Sequence, residues 1–293
     1  MKLIQDLDEL RQWAGDRLAP RPRVLVPTMG ALHEGHLSLI DLARQHAGSV
    51  GEVVATIFVN PTQFAPHEDF DRYPRPFEED LAKLESRGCD LVFAPRRPEM
   101  YADDASVKVI EASLGAGMEG ESRPQFFGGV CTVVAKLFNL VQPDAAVFGE
   151  KDFQQLAVIR RMVRDLNFPI EIIPGPTMRE LDGLAMSSRN AYLSTEERSQ
   201  ALSISQALRQ ARESIEQGQV SVPTLLDQVR SRIAAEPLAR IDYVAGVDPD
   251  TLAPIEAIGA DGLLIAVAVW FGKTRLIDNV CWRRSVSGTF PGN

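Results

Sequence analysis

Cysteine is scarce in this sequence: Cys89, Cys131 and Cys281 are the only three among 293 residues, an odd number, set far apart. They provide neither a disulfide framework nor a CxxC metal knuckle, so a cytoplasmic protein is expected. Long apolar runs are missing too. The longest, Leu263 to Phe271, falls far short of the ~20 residues a membrane-crossing helix requires. Met1 to Leu10 carries acidic side chains where a secretory leader would be basic and then apolar, so no leader is expected. Basic blocks are also absent. The net charge is −9, and basic residues gather no further than the pairs Arg96-Arg97, Arg160-Arg161 and Arg283-Arg284. A nucleic-acid binder presents a basic face, so neither nucleic acid nor membrane is expected as a partner. Anions must then be met by a local positive site built from a few groups.

What is present is an ordinary globular composition, 45% hydrophobic and 24% charged, which excludes disorder. The length suffices for a full core and points to two domains. Short apolar runs at Arg23–Pro27, Glu52–Val59, Asp90–Ala94, Val107–Glu111, Asp144–Phe148 and Ile170–Ile173 predict strands. Amphipathic stretches between several of them, at His36–His46, Pro76–Arg87, Gly129–Val141 and Phe153–Leu166, predict helices. This alternation implies an α/β fold with a Rossmann-like parallel sheet and helices on both faces. Ligands bind beyond the carboxyl ends of such strands. Near Pro174–Pro176 the character changes, predicting one domain over 1–175 and a smaller C-terminal α/β domain over 176–293 that closes over the site. There Ser194 and Glu197 form a capping box opening a helix to about Gln217, and a second helix follows over Val222–Ala235. Strand-like runs come at Ile241–Val247, Leu263–Phe271 and Arg275–Val280, before a loose tail from Ser285 to Asn293.

Four segments carry candidate chemistry. In Val26 to His36, a strand meets a tight turn and a helix start, with His33 and His36 able to project from one side. Unpaired N–H groups there suit a phosphate, and Gly30 and Gly35 permit close backbone approach; the segment reads equally as a loop with two surface histidines. Zinc is disfavoured, because no third ligand is evident among His46, His67 and the lone cysteines. In Phe58 to Phe64, Asn60 and Gln63 offer neutral hydrogen-bonding groups on a turn made rigid by Pro61, which alone reads as a strand-ending turn. In Phe148 to Gln155, Lys151 can reach a phosphate and Gln155 faces the mouth, whereas Asp152 with Gln155 also reads as a plain capping box. In Met178 to Asn190, Ser187, Ser188 and Arg189 suit a pyrophosphate tail, or form a polar interdomain loop.

The ordered set is more specific than its parts. His-Glu-Gly-His at 33–36 resembles the HIGH signature of adenylyl-transferring Rossmann proteins, and Met186-Ser-Ser-Arg189 resembles their second phosphate loop. More finely, Pro27–His36, Phe58–Gln63, Lys136–Asp144, Phe148–Gln155, Asp182–Asn190 and Phe271–Asn279 resemble the pantothenate synthetase (pantoate–β-alanine ligase) family over nearly the whole chain. The resemblance implies ATP-dependent condensation of pantoate with β-alanine, giving pantothenate, AMP and pyrophosphate through a pantoyl adenylate. It implies His36, His33 and Lys151 as catalytic groups. It implies an ATP site of Met29, Gly30, Ala31, Leu32, His33, Glu34, Gly35, His36, Gly149, Glu150, Lys151, Asp152, Met178, Met186, Ser187, Ser188 and Arg189. Gln63 and Gln155 are implied to hold pantoate, with Asn60 beside them and Arg123 as an anion contact. Mg²⁺ is implied as cofactor, with Glu79 and Asp80 as candidate carboxylates, and a homodimer as the assembly.

This chain departs from the family pattern at Phe126, where a histidine is usual, so no imidazole role is expected there. An adenylyltransferase acting on another small acceptor would share the first and fourth segments but would not need paired amides. A non-catalytic ATP sensor would form no AMP.

Overall fold

The computed structural model describes residues 1–16, 21–65 and 68–283; the tail over 285–293 and His67 lie outside the described residues. The chain divides into two compact units, Met1–Arg179 with Met186–Ser188, and Glu180–Ala185 with Arg189–Asn293.

The first unit is built on a six-stranded sheet in which every pairing is parallel. Its strands are β1 (Lys2–Ile4), β2 (Arg23–Thr28), β3 (Glu52–Ile57), β4 (Leu91–Phe93), β5 (Ala145–Gly149) and β6 (Glu171–Gly175), in the order β1-β4-β3-β2-β5-β6. The strands β2 to β5 read as near-continuous apolar runs because both faces of the sheet are covered. On one face α2 (Glu34–Ala47) and α3 (Phe77–Ser86) bring Ile40, Ala43, Ala47 and Leu84 against Val24, Val26, Val53, Ala55, Val92 and Val147. Each fully buried aliphatic side chain of this kind contributes about 1.5–3 kcal/mol. The remaining longer helices, α1 (Leu7–Gly15), α6 (Phe126–Val141) and α7 (Phe153–Asp165), pack in sequence, α1 on α6 and α6 on α7, with α6 also against β2 and α7 against β5. Short helices α4 (Arg97–Met100) and α5 (Glu119–Ser122) lie in the connection before α6.

Sheet order explains where a site can form. After β2 the chain runs outward through β3 to β4, then returns to place β5 on the other side of β2. The crevice at the carboxyl ends of β2 and β5 is therefore the topological switch point, where ligands of such sheets bind.

One expectation needs correction. Val107–Glu111 is not a strand: Val107 is 85% exposed, and the stretch is tied instead to α6 by the Val109 N–H donating to Thr132 Oγ1 at 3.0 Å. The place beside β4 is taken by β1 instead. That edge strand is three residues long, with only Ile4 buried, too short to leave a periodic signature. The helix after it, α1, is capped by Asp6, whose carboxylate accepts from the N–H groups of Asp8 and Glu9.

The second unit pairs α8 (Thr195–Glu216) and α9 (Val222–Ala234) with an antiparallel sheet of β7 (Ala239–Val247), β8 (Leu263–Phe271) and β9 (Thr274–Trp282). Ser194 Oγ accepts from the Glu197 N–H and Glu197 Oε2 accepts from the Ser194 N–H, closing the expected box. Alternate residues of β8, Leu263, Ile265, Val267, Val269 and Phe271, share one core with Ile204, Leu208 and Ala211 of α8 and Leu225, Val229 and Ile233 of α9.

Candidate active site

The turn between β2 and α2 is held by bonds that leave few backbone donors free. Gly30 and Ala31 both adopt positive φ, +79° and +52°. The Gly30 N–H donates to Thr28 Oγ1 at 3.2 Å, and the N–H groups of Ala31 and Leu32 donate to the two oxygens of Asp80 at 2.8 Å each. From the same helix α3, Lys83 Nζ donates to the Leu32 carbonyl at 2.8 Å. A side chain at Gly30 would meet Asp80 Oδ2 at 3.0 Å, so the close approach needs glycine as much as the φ does. Of the N–H groups at this turn, those of Ala31 and Leu32 are thus taken by an internal carboxylate. Asp80 is 1% exposed. Glu79 is exposed, as expected when neighbours on a helix face different ways. Among the described residues no group of three or more His, Cys, Asp or Glu side chains is placed to hold a metal ion.

His33 is the N-cap of α2, its Nδ1 accepting from the Gly35 N–H at 3.1 Å, while His36 Nδ1 accepts from the His33 N–H at 3.4 Å. The ring centroids are 4.0 Å apart. A side chain at Gly35 would sit 2.9 Å from the His33 ring, so glycine is what lets that ring fold over the helix start. Burial first, then His33, Lys151 and Lys83, lower the pKa of His36 to about 3. It is therefore neutral at pH 7, and with Nδ1 accepting, the proton resides on Nε2, available to an oxygen ligand. Glu34 points elsewhere: its carboxylate accepts from Arg87 at 2.7 Å on the exposed side.

At the end of β3, Asn60 is saturated. Its Oδ1 accepts from the Thr62 N–H, Thr62 Oγ1 and Tyr101 Oη, and its Nδ2 donates to Gln63 Oε1 and the Gly129 carbonyl, both at 3.1 Å. Asn60 is 1% exposed, and its side-chain polar atoms are all engaged within the protein. Gln63 is different. With Oε1 committed to Asn60, its Nε2 faces Met29 Sδ at 2.8 Å, a weak acceptor that an oxygen ligand can outcompete. Tyr101 left no sign in the sequence, since it follows only the four-residue α4.

Arg123 is also spoken for. It forms a bidentate pair with Glu68 at 2.6 and 2.8 Å, lies 3.5 Å from Glu119 Oε2, and donates to the Gln63 carbonyl at 3.1 Å. Its guanidinium stacks 3.9 Å from the centre of the Phe126 ring. These contacts make Arg123 a clamp on the Gln63 turn, with Phe126 as its platform.

Beyond β5, Gly149 leads into a 3-10 turn over Glu150–Asp152 and then α7. Asp152 is the N-cap of α7 but makes no side-chain cap hydrogen bond, so the capping box with Gln155 is not formed. Lys151 Nζ lies 4.0 Å from Asp152 and close enough to depress His36. Gln155 is half-buried and makes no side-chain hydrogen bond among the described residues. Its neighbour Gln154 is buried and pins the preceding connection, accepting from the Glu119 N–H and donating to the carbonyls of Leu114 and Gly117.

Met186, Ser187 and Ser188 belong to the first unit although their flanking residues belong to the second. Met186 N–H donates to the Met178 carbonyl at 3.0 Å, and its Cβ would lie 3.4 Å from a side chain at Gly35, so it reaches the His33–His36 helix start. Ser188 Oγ is 3.5 Å from Tyr73 Oη. Arg189 belongs to the second unit.

Strand order and clustered side chains define a Rossmann-type α/β enzyme with its functional groups gathered at the switch point of the sheet. The family model for pantoate-beta-alanine ligase matches residues 2–281. A pantothenate synthetase from Thermoanaerobacter sp. is 52% identical over 262 residues, covering 89% of this chain and 91% of that one. The crystal structure of pantothenate synthetase from Thermus thermophilus superposes with a TM-score of 0.89 at 48% identity, covering 96% of this chain and 99% of that one. The pantoate-beta-alanine ligase of Francisella tularensis, complexed with beta-gamma ATP and beta-alanine, has a TM-score of 0.79 at 31% identity, covering 96% and 97%. The chain belongs to the pantoate-beta-alanine ligase family, and it is a ligase.

Proposed function

We propose that the protein condenses pantoate with β-alanine at the expense of ATP, releasing AMP and pyrophosphate through a pantoyl adenylate. The observation that carries this reading is the pairing of a neutral, Nε2-protonated His36 beside Lys151 with a Gln63 amide whose Nε2 is held only by the Met29 sulfur. Pantoate's carboxylate is ionised at pH 7 and needs no base to attack the α-phosphorus. The step needs in-line placement and stabilisation of charge on the phosphoryl oxygens. His36 Nε2–H and Lys151 supply donors to those oxygens. Met29 to Leu32, Gly149 to Asp152, Met178 and Met186 to Ser188 line the nucleotide. Gln155, and the Gln63 Nε2 held only by the Met29 sulfur, are the amide groups that orient a small hydroxy acid without adding charge.

The carboxylate oxygen forms the new P–O bond as pyrophosphate leaves. In the second step the free amine of β-alanine attacks the acyl carbon, AMP departs with the anhydride oxygen, and the ammonium-like nitrogen gives up its proton. Mg²⁺, which neutralises triphosphate charge when bound, fits this site as an ion carried by the nucleotide rather than by protein carboxylates. A cytoplasmic homodimer completes the proposal. It is consistent with the chain that no helix among the described residues is long and apolar enough to cross a membrane.

The test is pyrophosphate–ATP exchange with pantoate present and β-alanine absent. Exchange that depends on pantoate, followed by AMP and pantothenate on adding β-alanine, is the expected result. Folded protein that exchanges with no carboxylic acid tested would point instead to an ATP sensor.

A further inference from the structure

We propose that Asp80 is the positioning residue of this site: an internal carboxylate that takes the place of a ligand anion at the β2–α2 turn and so sets the geometry of His33 and His36. The inference deepens the adenylation reading and rests on it.

The argument begins with strain. Gly30 and Ala31 hold consecutive positive φ angles, and Ala31 carries a Cβ there, a conformation a non-glycine residue keeps only when its surroundings impose it. What imposes it is on α3. Both oxygens of Asp80 accept from successive N–H groups, Ala31 and Leu32, at 2.8 Å, and Lys83 one turn on takes the Leu32 carbonyl at 2.8 Å. Three bonds from one helix thus grip three successive peptide groups of the turn. Charge-assisted bonds of this kind are about twice as strong as neutral ones. His33 is the next residue, and its N–H is the donor to His36 Nδ1. The carboxylate is therefore linked through one peptide to the bond that selects the His36 tautomer.

This accounts for two further features. Burial should make a carboxylate here expensive, and Asp80 is almost fully buried, so its two N–H partners are what compensate for lost water. Once they are taken, the turn offers ligand phosphates little of its backbone. Charge stabilisation then falls to side chains, His36 and Lys151, whose placement has to be accurate. A displacement of 1 Å in a catalytic group can lower a rate by about 10²-fold.

The experiment uses the full-length protein and Asp80→Asn, which keeps the shape but turns one acceptor into an amide facing a backbone N–H. Wild-type protein must first show pantoate-dependent exchange; if it does not, the functional reading fails and not this one. Given wild-type activity, Asp80→Asn is expected to lower kcat for adenylation about 10²-fold, with the Mg²⁺ concentration dependence unchanged. In parallel, amide hydrogen exchange at Ala31 and Leu32 is expected to speed up in Asp80→Asn relative to the rest of β2, a readout independent of activity. Should Asp80→Asn not fold, Lys83→Met, on the partly exposed side of the same grip, replaces it and is expected to loosen Leu32 and lower kcat more modestly. A wild-type kcat with loosened amides, or unchanged amide exchange, would overturn the proposal. So would a kcat restored by raised Mg²⁺, which would make Asp80 a metal ligand.

Discussion

Asn60 donates to Gln63 Oε1 at 3.1 Å, and that one bond decides which end of the glutamine amide faces the site. Asn60 cannot turn around, because three donors converge on its Oδ1 and the Gly129 carbonyl holds its Nδ2. Gln63 is thereby fixed as a donor toward whatever replaces the Met29 sulfur.

Asn60→Asp tests this coupling. The new carboxylate repels Gln63 Oε1, so the glutamine amide should rotate and present an acceptor to an anionic substrate. The expected outcome is a KM for pantoate raised about 10- to 100-fold, about 1.4 kcal/mol per factor of ten, with the KM for ATP little changed. Equal losses for both substrates in steady-state kinetics would mean that Gln63 does not face the acid.

His36 makes a pH prediction with a definite sign. Its pKa is about 3 in the folded protein against an ordinary 6.5. Between these values the unfolded chain holds a proton that the folded one does not, so stability falls as pH drops from about 6.5 toward 3. By pH 5 the loss from this residue is about 2 kcal/mol. Urea unfolding at pH 7 and pH 5 should show that loss in the wild type and lack it in His36→Gln. The same variant should lose adenylation by at least about 10²-fold, as when a preorganised donor is removed. The wild-type rate should show no His36 limb between pH 5 and 8.

Arg123 predicts a stability effect. Removing it takes the shared cation away from Glu68 and Glu119, both largely buried. Arg123→Ala should destabilise by about 3 kcal/mol. Arg123→Lys should recover little, because an ammonium can reproduce neither the bidentate pair nor the stack on Phe126. Thermal denaturation of the two variants checks both statements.

Particular residues show how much of this was legible beforehand. Alternating apolar runs and helical periodicities located β2, β3, β5, α2 and α7, and the box at Ser194 and Glu197 announced α8. Those signals are local, written within a few turns of chain. The roles of Asn60, Arg123 and Asp80 were not legible, because each is set by partners far away in sequence: Gly129 and Tyr101 for the first, Glu68 for the second, Ala31 and Leu32 for the third. An exposed asparagine and a saturated one look the same in a sequence.

The sequence by itself determined the α/β class, the order of the ligand-facing turns and the family, since periodicity and motif order survive without coordinates. Only the tertiary structure decided which polar groups are free to act. A buried donor or acceptor must find a partner wherever the fold brings one, and those satisfied inside the protein are thereby withdrawn from the ligand.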